Sequence, residues 1–461
     1  MVKKFMSYVS TRDNSKEYSF EDVFIKGLAD DGGLYVPTSL KKFSSDELSK
    51  LKNLNYNDLS TEIINQFSSD FISKDDLSSL IKKSYSTFRE KEVVKISNIG
   101  DLKLLELFHG PTLAFKDVAM QFIGNLYEYY LSKNDKKINI VVATSGDTGA
   151  AAIDAIRGKS NLNIFVLHPN NRISPVQRKL MTTVEDENVF NIAIDGNFDD
   201  CQNIVKQMFS DLDFSKSINM SGVNSINWAR IIAQAVYYFY TYFKLDIDKP
   251  ISFSVPTGNF GDVFAGYLAK EMGLPIDKLI VATNENDILH RAISKGDYIS
   301  KKVKETLSPS MDIQLASNFE RLIYYVNNSN SEITSDIMKK IKQNEYQIDK
   351  SNLDIIQKDF VSESCNENET LEIIKKNFEK NDIILDPHTA VGVGAAKKLS
   401  FNDCVVLSTA HPCKFPDATN NAINKHEKLP EELQHVLDKK ENFQVLKNNT
   451  EEVKNFVKSK A

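Results

Sequence analysis

The spacing of hydrophobic positions changes along this chain. Up to about residue 95 they fall in helical patches, Leu48 to Leu54 and Ile63 to Phe71 among them, separated by Ser, Asn and Asp and with few consecutive β-branched residues. From Leu102 short apolar runs appear, each closed by a Gly, Ser or Thr turn and followed by a helical pattern, which is the signature of βαβ units. The runs Ile138 to Ala143, Asn163 to His168, Val189 to Ile194, Ile251 to Val255, Leu279 to Thr283 and Cys404 to Ser408 predict strands. Asp117 to Leu131 predicts a helix, because Val118, Phe122, Leu126 and Tyr130 recur every four residues, and Trp228 to Leu245, apolar nearly all round, predicts a buried one. From about 295 to 380 the chain is rich in Lys, Asn, Glu and Ile at helical spacing with no strand run, which predicts a helical insertion between strand-bearing regions. The expectation is an α/β fold with mainly parallel sheets: residues 1–95 form a mostly helical N-terminal domain, and residues 96–461 form two α/β domains carrying the insertion.

Composition agrees with more than one domain, since 461 residues exceed the size at which a single core stops growing. With 41% hydrophobic and 26% charged residues the chain is of ordinary globular type. The net charge of -6 comes from interspersed signs, so no broad basic surface is offered to nucleic acid. Cys201, Cys365, Cys404 and Cys413 form no CxxC pair, which argues against a disulfide framework or a zinc knuckle and for free thiols in a reducing compartment. The start, Met1 to Phe5, reaches Arg12 and Asp13 before any apolar run of signal-peptide length. No stretch approaches the ~20 apolar residues of a membrane span. A cytoplasmic protein without a membrane partner is expected.

Ligands in open parallel sheets sit beyond the carboxyl ends of the strands, so the residues that follow each predicted strand carry the chemistry. After Ala143 comes Thr144-Ser145-Gly146-Asp147-Thr148-Gly149 and an Ala-rich helix, where N–H groups and hydroxyls converge at the positive end of a helix and suit a carboxylate; simple helix capping explains the loop equally well. After Val255 comes Pro256-Thr257-Gly258-Asn259-Phe260-Gly261-Asp262, whose two glycines admit a close ligand such as phosphate. It is neither a Walker loop nor GxGxxG, and a tight strand-to-helix turn is its plain alternative. Lys116, in His109-Gly110-Pro111-Thr112-Leu113-Ala114-Phe115-Lys116-Asp117, stands at the start of a helix. A cation is disfavoured there, and desolvation would lower its pKa towards that of a nucleophile; the alternative is a solvated lysine neutralised by Asp117. Asn224, Ser225 and Arg230 gather around another helix start in a combination that suits a phosphate ester, although capping with an ordinary Arg also fits. His411 and Cys413 are two potential ligands and do not make a metal site, so no metal is expected. Gly392-Val393-Gly394 reads as close helix packing.

Taken in order, these segments resemble the threonine synthase family, in the branch of fold-type II pyridoxal phosphate (PLP) enzymes with an extended N-terminal domain. The resemblance runs from Tyr8, Ser10-Thr11-Arg12 and Gly27 to Pro37 through the segments above to Asp386-Pro387-His388-Thr389-Ala390 and Thr409-Ala410-His411-Pro412. It implies that Lys116 is the Schiff-base lysine, that Gly258, Asn259, Phe260, Gly261 and Asp262 form the PLP phosphate loop, and that Thr409 faces the pyridine nitrogen. It further implies that Asp147 stands at the cofactor's 3′-oxygen, where many fold-type II enzymes have Asn. Ser145, Gly146 and Thr148 would take the substrate carboxylate, and Asn224, Ser225 and Arg230 the substrate phosphate. The activity implied is γ-elimination of phosphate from O-phospho-L-homoserine with addition of water at Cβ to give L-threonine. A lyase of the same fold that releases 2-oxobutyrate and ammonia, and a catalytically silent metabolite-binding relative, are the alternatives.

Overall fold

Two parallel sheets are built from the apolar runs, and their carboxyl ends point at one another across the site. The computed structural model describes residues 6–461; the expectation about the first five residues lies outside them. In chain order the strands are β1 (Tyr8–Ser10), β2 (Tyr35–Pro37), β3 (Lys95–Ile99), β4 (Leu102–Glu106), β5 (Ile138–Ala143), β6 (Leu162–Pro169) and β7 (Val189–Asp195). They continue with β8 (Met220–Ser221), β9 (Ile251–Pro256), β10 (Ile276–Thr283), β11 (Phe360–Ser364), β12 (Val405–Ser408) and β13 (Gln444–Lys447). One sheet has the order β11-β10-β9-β12-β4-β3, the other β13-β7-β6-β5-β8, and β1 pairs with β2 alone. All neighbours in the two large sheets run parallel except the β3–β4 hairpin at an edge. Central strands β5, β6 and β9 are buried almost throughout because helices cover both faces, and their sequences accordingly read as continuous apolar runs.

The helix Trp228–Leu245 is buried along nearly its whole length. It packs against the helices Tyr56–Ser68, Lys116–Lys133 and Gly261–Glu271, so one element joins the N-terminal region to both chemical loops. Trp228, fully buried, meets Tyr8 and Phe67 edge-on, and the Tyr8 hydroxyl donates to the Phe67 carbonyl at 2.7 Å. Each such aromatic or aliphatic burial stabilises by roughly 1.5–3 kcal/mol. The N-terminal helices begin on side-chain caps, with reciprocal capping boxes at Ser19/Asp22 and Ser44/Glu47.

The segment from 295 to 380 differs from its expected all-helical character. It supplies the helices Phe319–Val326, Ser331–Lys342, Lys350–Asp359 and Glu367–Asn381, but also β11, which pairs with β10 as an edge strand. As an edge strand it has a neighbour along only one hydrogen-bonding edge, and its residues are a mix of buried and half-buried, so Phe-Val-Ser-Glu-Ser carries no apolar run to betray it. Gly392 and Gly394 do mark close packing: a Cβ at Gly392 would lie 2.9 Å from Val406, and one at Gly394 2.4 Å from the Cys365 sulfur.

Candidate active site

Three adjacent strands of the six-stranded sheet end on chemical residues: β4 leads to Lys116, β12 to Thr409 and β9 to the 257–262 loop. In the other sheet β5 leads to the 144–149 loop, and its neighbour β8 to residues 222–230. The two sets meet at Lys116, whose Nζ lies 3.5 Å from Asp147 Oδ2 and 3.4 Å from Ser310 Oγ.

Lys116 is the first residue of its helix and is 8% exposed. Its loop is tied down on both sides. The Phe115 N–H donates to the Thr409 carbonyl at 2.8 Å, Ala114 bridges to Ala410, and Asp117 accepts from the Thr112 N–H at 2.8 Å and from the Thr112 hydroxyl at 2.5 Å. Asp117 therefore serves the loop rather than neutralising Lys116, and burial pushes its carboxyl up to about 6. The reading of Lys116 as a solvated surface lysine does not fit this geometry. Burial holds its amine below the ordinary lysine range, with Lys414 and Arg230 acting in the same sense and Asp147 against it.

Asp147 is the electrostatic centre of the site. It accepts from Lys414 Nζ at 2.5 Å and from Gln177 Nε2 at 2.8 Å, besides its longer contact to Lys116. Burial alone would raise its carboxyl, but the two lysines and the hydrogen bonds from Lys414 and Gln177 outweigh burial and keep it ionised well below the usual range. Around it, Gly146 takes φ 136°, a conformation that only glycine adopts readily. The Gly146 N–H turns inward to Thr144 Oγ1 at 2.9 Å, so Gly146 contributes the turn and not a free donor. The Ser145 and Thr148 N–H groups find no backbone acceptor among the described residues.

The 257–262 loop is shaped for an anion. Phe260 sits in the left-handed region at φ 63°, the helix Gly261–Glu271 starts immediately after it, and the N–H groups of Gly258 to Asp262 find no backbone acceptor among the described residues. A Cβ at Gly258 would lie 2.6 Å from the Ser310 carbonyl oxygen, which accounts for the glycine. Asp262 turns inward instead, where it accepts from the hydroxyls of Tyr237 and Tyr238, while its Oδ2 is buried without a partner. Burial raises its carboxyl to about 6.

Arg230 is 3% exposed, donates Nη1 to the Val223 carbonyl at 3.2 Å, and keeps Nε buried without a partner. Burial pulls its guanidinium down to about 10. A buried guanidinium with an orphaned donor is costly unless an anion completes it. Asn224 and Ser225 lie in the loop before it, and the Ser225 carbonyl accepts from Asn318 Nδ2, which also reaches the Asn259 carbonyl. One side chain thus spans the two anion loops.

The residue set fits PLP: a buried amine, Lys116, held only loosely by its neighbours, an anion loop on a helix start, an ionised carboxylate beside the amine, a hydroxyl residue at the end of β12, and a further guanidinium with a free donor. Three contributors went unread in the sequence, Lys414, Ser310 and Gln177, and Asp386 and His388 carried part of the resemblance without a role. His388 Nε2 accepts the Ser310 N–H at 3.2 Å and its Nδ1 meets Asp386 Oδ1 at 2.9 Å, so the hydroxyl beside Lys116 is held from the helix Pro387–Lys398. His411 acts as a local cap, its Nδ1 accepting the Cys413 N–H at 3.2 Å, and burial lowers its imidazole to about 4.

Residues 102–409 match the family model described as pyridoxal-phosphate dependent enzyme. Residues 7–85 match the threonine synthase N-terminus model and 389–457 the threonine synthase C-terminal model. The chain is 46% identical to the threonine synthase of Saccharomyces cerevisiae, over 98% of this chain and 97% of that protein. It is 43% identical to the threonine synthase of Pseudomonas aeruginosa, with 98% of each covered. A crystal structure of PLP-bound threonine synthase from Brucella melitensis superposes with a TM-score of 0.95 at 44% identity, covering 99% of both chains.

Proposed function

This chain belongs to the threonine synthase family, and from that premise we infer that it turns O-phospho-L-homoserine and water into L-threonine and phosphate with PLP as cofactor. The observation that supports the residue roles is the meeting of Lys116, a buried amine without a close carboxylate partner, with loops of unpaired donors from both sheets.

When bound, PLP supplies an electron sink for the pair left at the substrate's α-carbon. In this reading Lys116 holds the cofactor's aldehyde carbon, the N–H groups of Gly258 to Asp262 its phosphate, Asp147 its 3′-oxygen side and Thr409 its ring nitrogen. Ser145 and Thr148 offer donors to the substrate carboxylate at a helix start. Asn224, Ser225 and Arg230 take the phosphate ester. Once the substrate's amino group has taken its place on the cofactor, Lys116, its freed amine favoured uncharged by burial, would take the proton from Cα and, after passing that one on, a proton from Cβ. Arg230, whose Nε is unpaired, receives the charge that builds on phosphate as it leaves Cγ. One of the two protons goes to Cγ and the other returns to Cα, while water bonds its oxygen to Cβ and gives its remaining proton to the departed phosphate, so one water enters for each phosphate that departs.

We assign the roles to two units, an N-terminal one to about residue 95 and a catalytic one beyond it, and we place the enzyme in the cytoplasm. The four cysteines are free and buried, in keeping with a reducing compartment. No helix among the described residues is long and apolar enough to cross a membrane. Replacement of Lys116 by Ala tests the reading. The variant is expected to fold, to lose the visible absorbance of lysine-bound cofactor and to show no turnover; an active Lys116→Ala protein sinks the assignment.

A further inference from the structure

Asp147 is shared by two lysines whose situations differ. Lys116 approaches it at 3.5 Å and has Ser310 Oγ at a comparable 3.4 Å. Lys414 lies 2.5 Å from the other carboxylate oxygen, has a side chain with no exposed surface, and donates also to the Thr112 carbonyl at 2.9 Å. Thr112 is the residue whose N–H and hydroxyl Asp117 holds, so Lys414 is anchored to the same loop that presents Lys116.

If PLP is carried on Lys116, that nitrogen alternates between a bonded and a free state in every turnover. It cannot serve Asp147 as a constant partner. A buried carboxylate that loses its cation pays the desolvation of an unpaired charge and repels any anionic oxygen placed beside it. We propose that Lys414 is a positioning residue, the permanent counter-ion of Asp147, which lets Lys116 exchange between cofactor and substrate without leaving that carboxylate unpaired. This rests on the cofactor reading above. The charged groups acting on Lys116 are Asp147 from the β5 loop, Lys414 from the turn after β12 and Arg230 from the helix Trp228–Leu245, and among the described residues only Lys414 pairs directly with Asp147 besides Lys116 itself. Gln177 contributes a neutral donor to the same oxygen as Lys414 and cannot replace the charge.

The test is a charge cycle read as the dissociation constant of PLP, measured by equilibrium dialysis rather than by activity. Lys414→Met, which leaves Asp147 uncompensated against the cofactor, is expected to weaken PLP about tenfold or more. The double variant Asp147→Asn with Lys414→Met removes both charges and is expected to recover most of that loss. Lys414→Arg keeps the charge and is expected to stay within about threefold of the wild type. A lysine that only fills space predicts a double variant no better than Lys414→Met, and that result overturns the proposal, as does unchanged affinity in Lys414→Met. Should Lys414→Met bind no PLP at all, recovery of binding in the double variant supports the proposal and its failure overturns it. The cofactor reading itself falls separately, on a visible band that survives Lys116→Ala.

Discussion

At Arg230 burial and charge oppose each other, and the unpaired Nε marks where the balance is completed by something outside the protein. On the proposed reading, in which Arg230 meets the leaving group, truncation to Ala removes a charge-assisted donor, so kcat/KM for O-phospho-L-homoserine is expected to fall about 100-fold or more, with PLP affinity changed far less. Steady-state kinetics beside a PLP titration check this, and equal losses would make Arg230 a structural residue. Asp262 gives a pH signature. Its carboxyl is raised to about 6 in the folded chain against about 4 unfolded. The folded state therefore binds the proton more tightly. The resulting stability is fully present below pH ~4 and is lost as pH rises through about 6. Relative to wild type, Asp262→Asn of the apoprotein should gain stability across that window by about 1–3 kcal/mol, read from urea unfolding at a series of pH values. A difference that does not vary between pH 4 and 7 would contradict the shift.

Loops at strand ends do the chemistry, but one helix of the insertion holds them in register. On Phe319–Val326, Glu320 is 3% exposed and accepts from the Thr11 hydroxyl at 2.6 Å and from Arg12 at 2.8 and 2.7 Å. The next residue, Arg321, donates to the Tyr35 carbonyl at 3.0 Å and to the Ile226 carbonyl at 2.7 Å, so β1 and β2 are linked to the loop that carries Asn224 and Ser225. Glu320→Ala leaves Arg12 facing a void and is expected to cost about 3–5 kcal/mol in chemical denaturation, whereas Glu320→Gln should cost less. A loss below about 1 kcal/mol for the Ala variant would show that the N-terminal strands dock without this pair. What the sequence made legible follows the same lines. β5, β6, β7, β9, β10 and β12 stand where their apolar runs predicted them, because strands covered on both faces must be apolar throughout. The edge strands β11 and β13 carry Ser, Glu, Gln and Lys and could not be told from loop or helix. Lys116 stood out in the sequence because a helix start is a poor place for a cation, whereas Arg230 stood out only through its grouping with Asn224 and Ser225, which ordinary capping also fitted. Lys414 and Ser310 did not stand out: their partners lie hundreds of residues away in the chain, and no local spacing encodes such contacts.

For the whole molecule, loops at the ends of two parallel sheets gather unpaired donors around Lys116, and on the proposed reading these serve two phosphates and a carboxylate. Such an array is more than a dehydratase acting on an unphosphorylated amino acid requires. The family supplies the fold, and the products formed at the site decide between threonine and a hydrolysed keto acid. Incubation of the PLP-loaded protein with O-phospho-L-homoserine, with phosphate, L-threonine and 2-oxobutyrate quantified together, tests this most directly. Threonine equal to phosphate is the predicted result; phosphate accompanied by 2-oxobutyrate in place of threonine, or no phosphate at all, would contradict it.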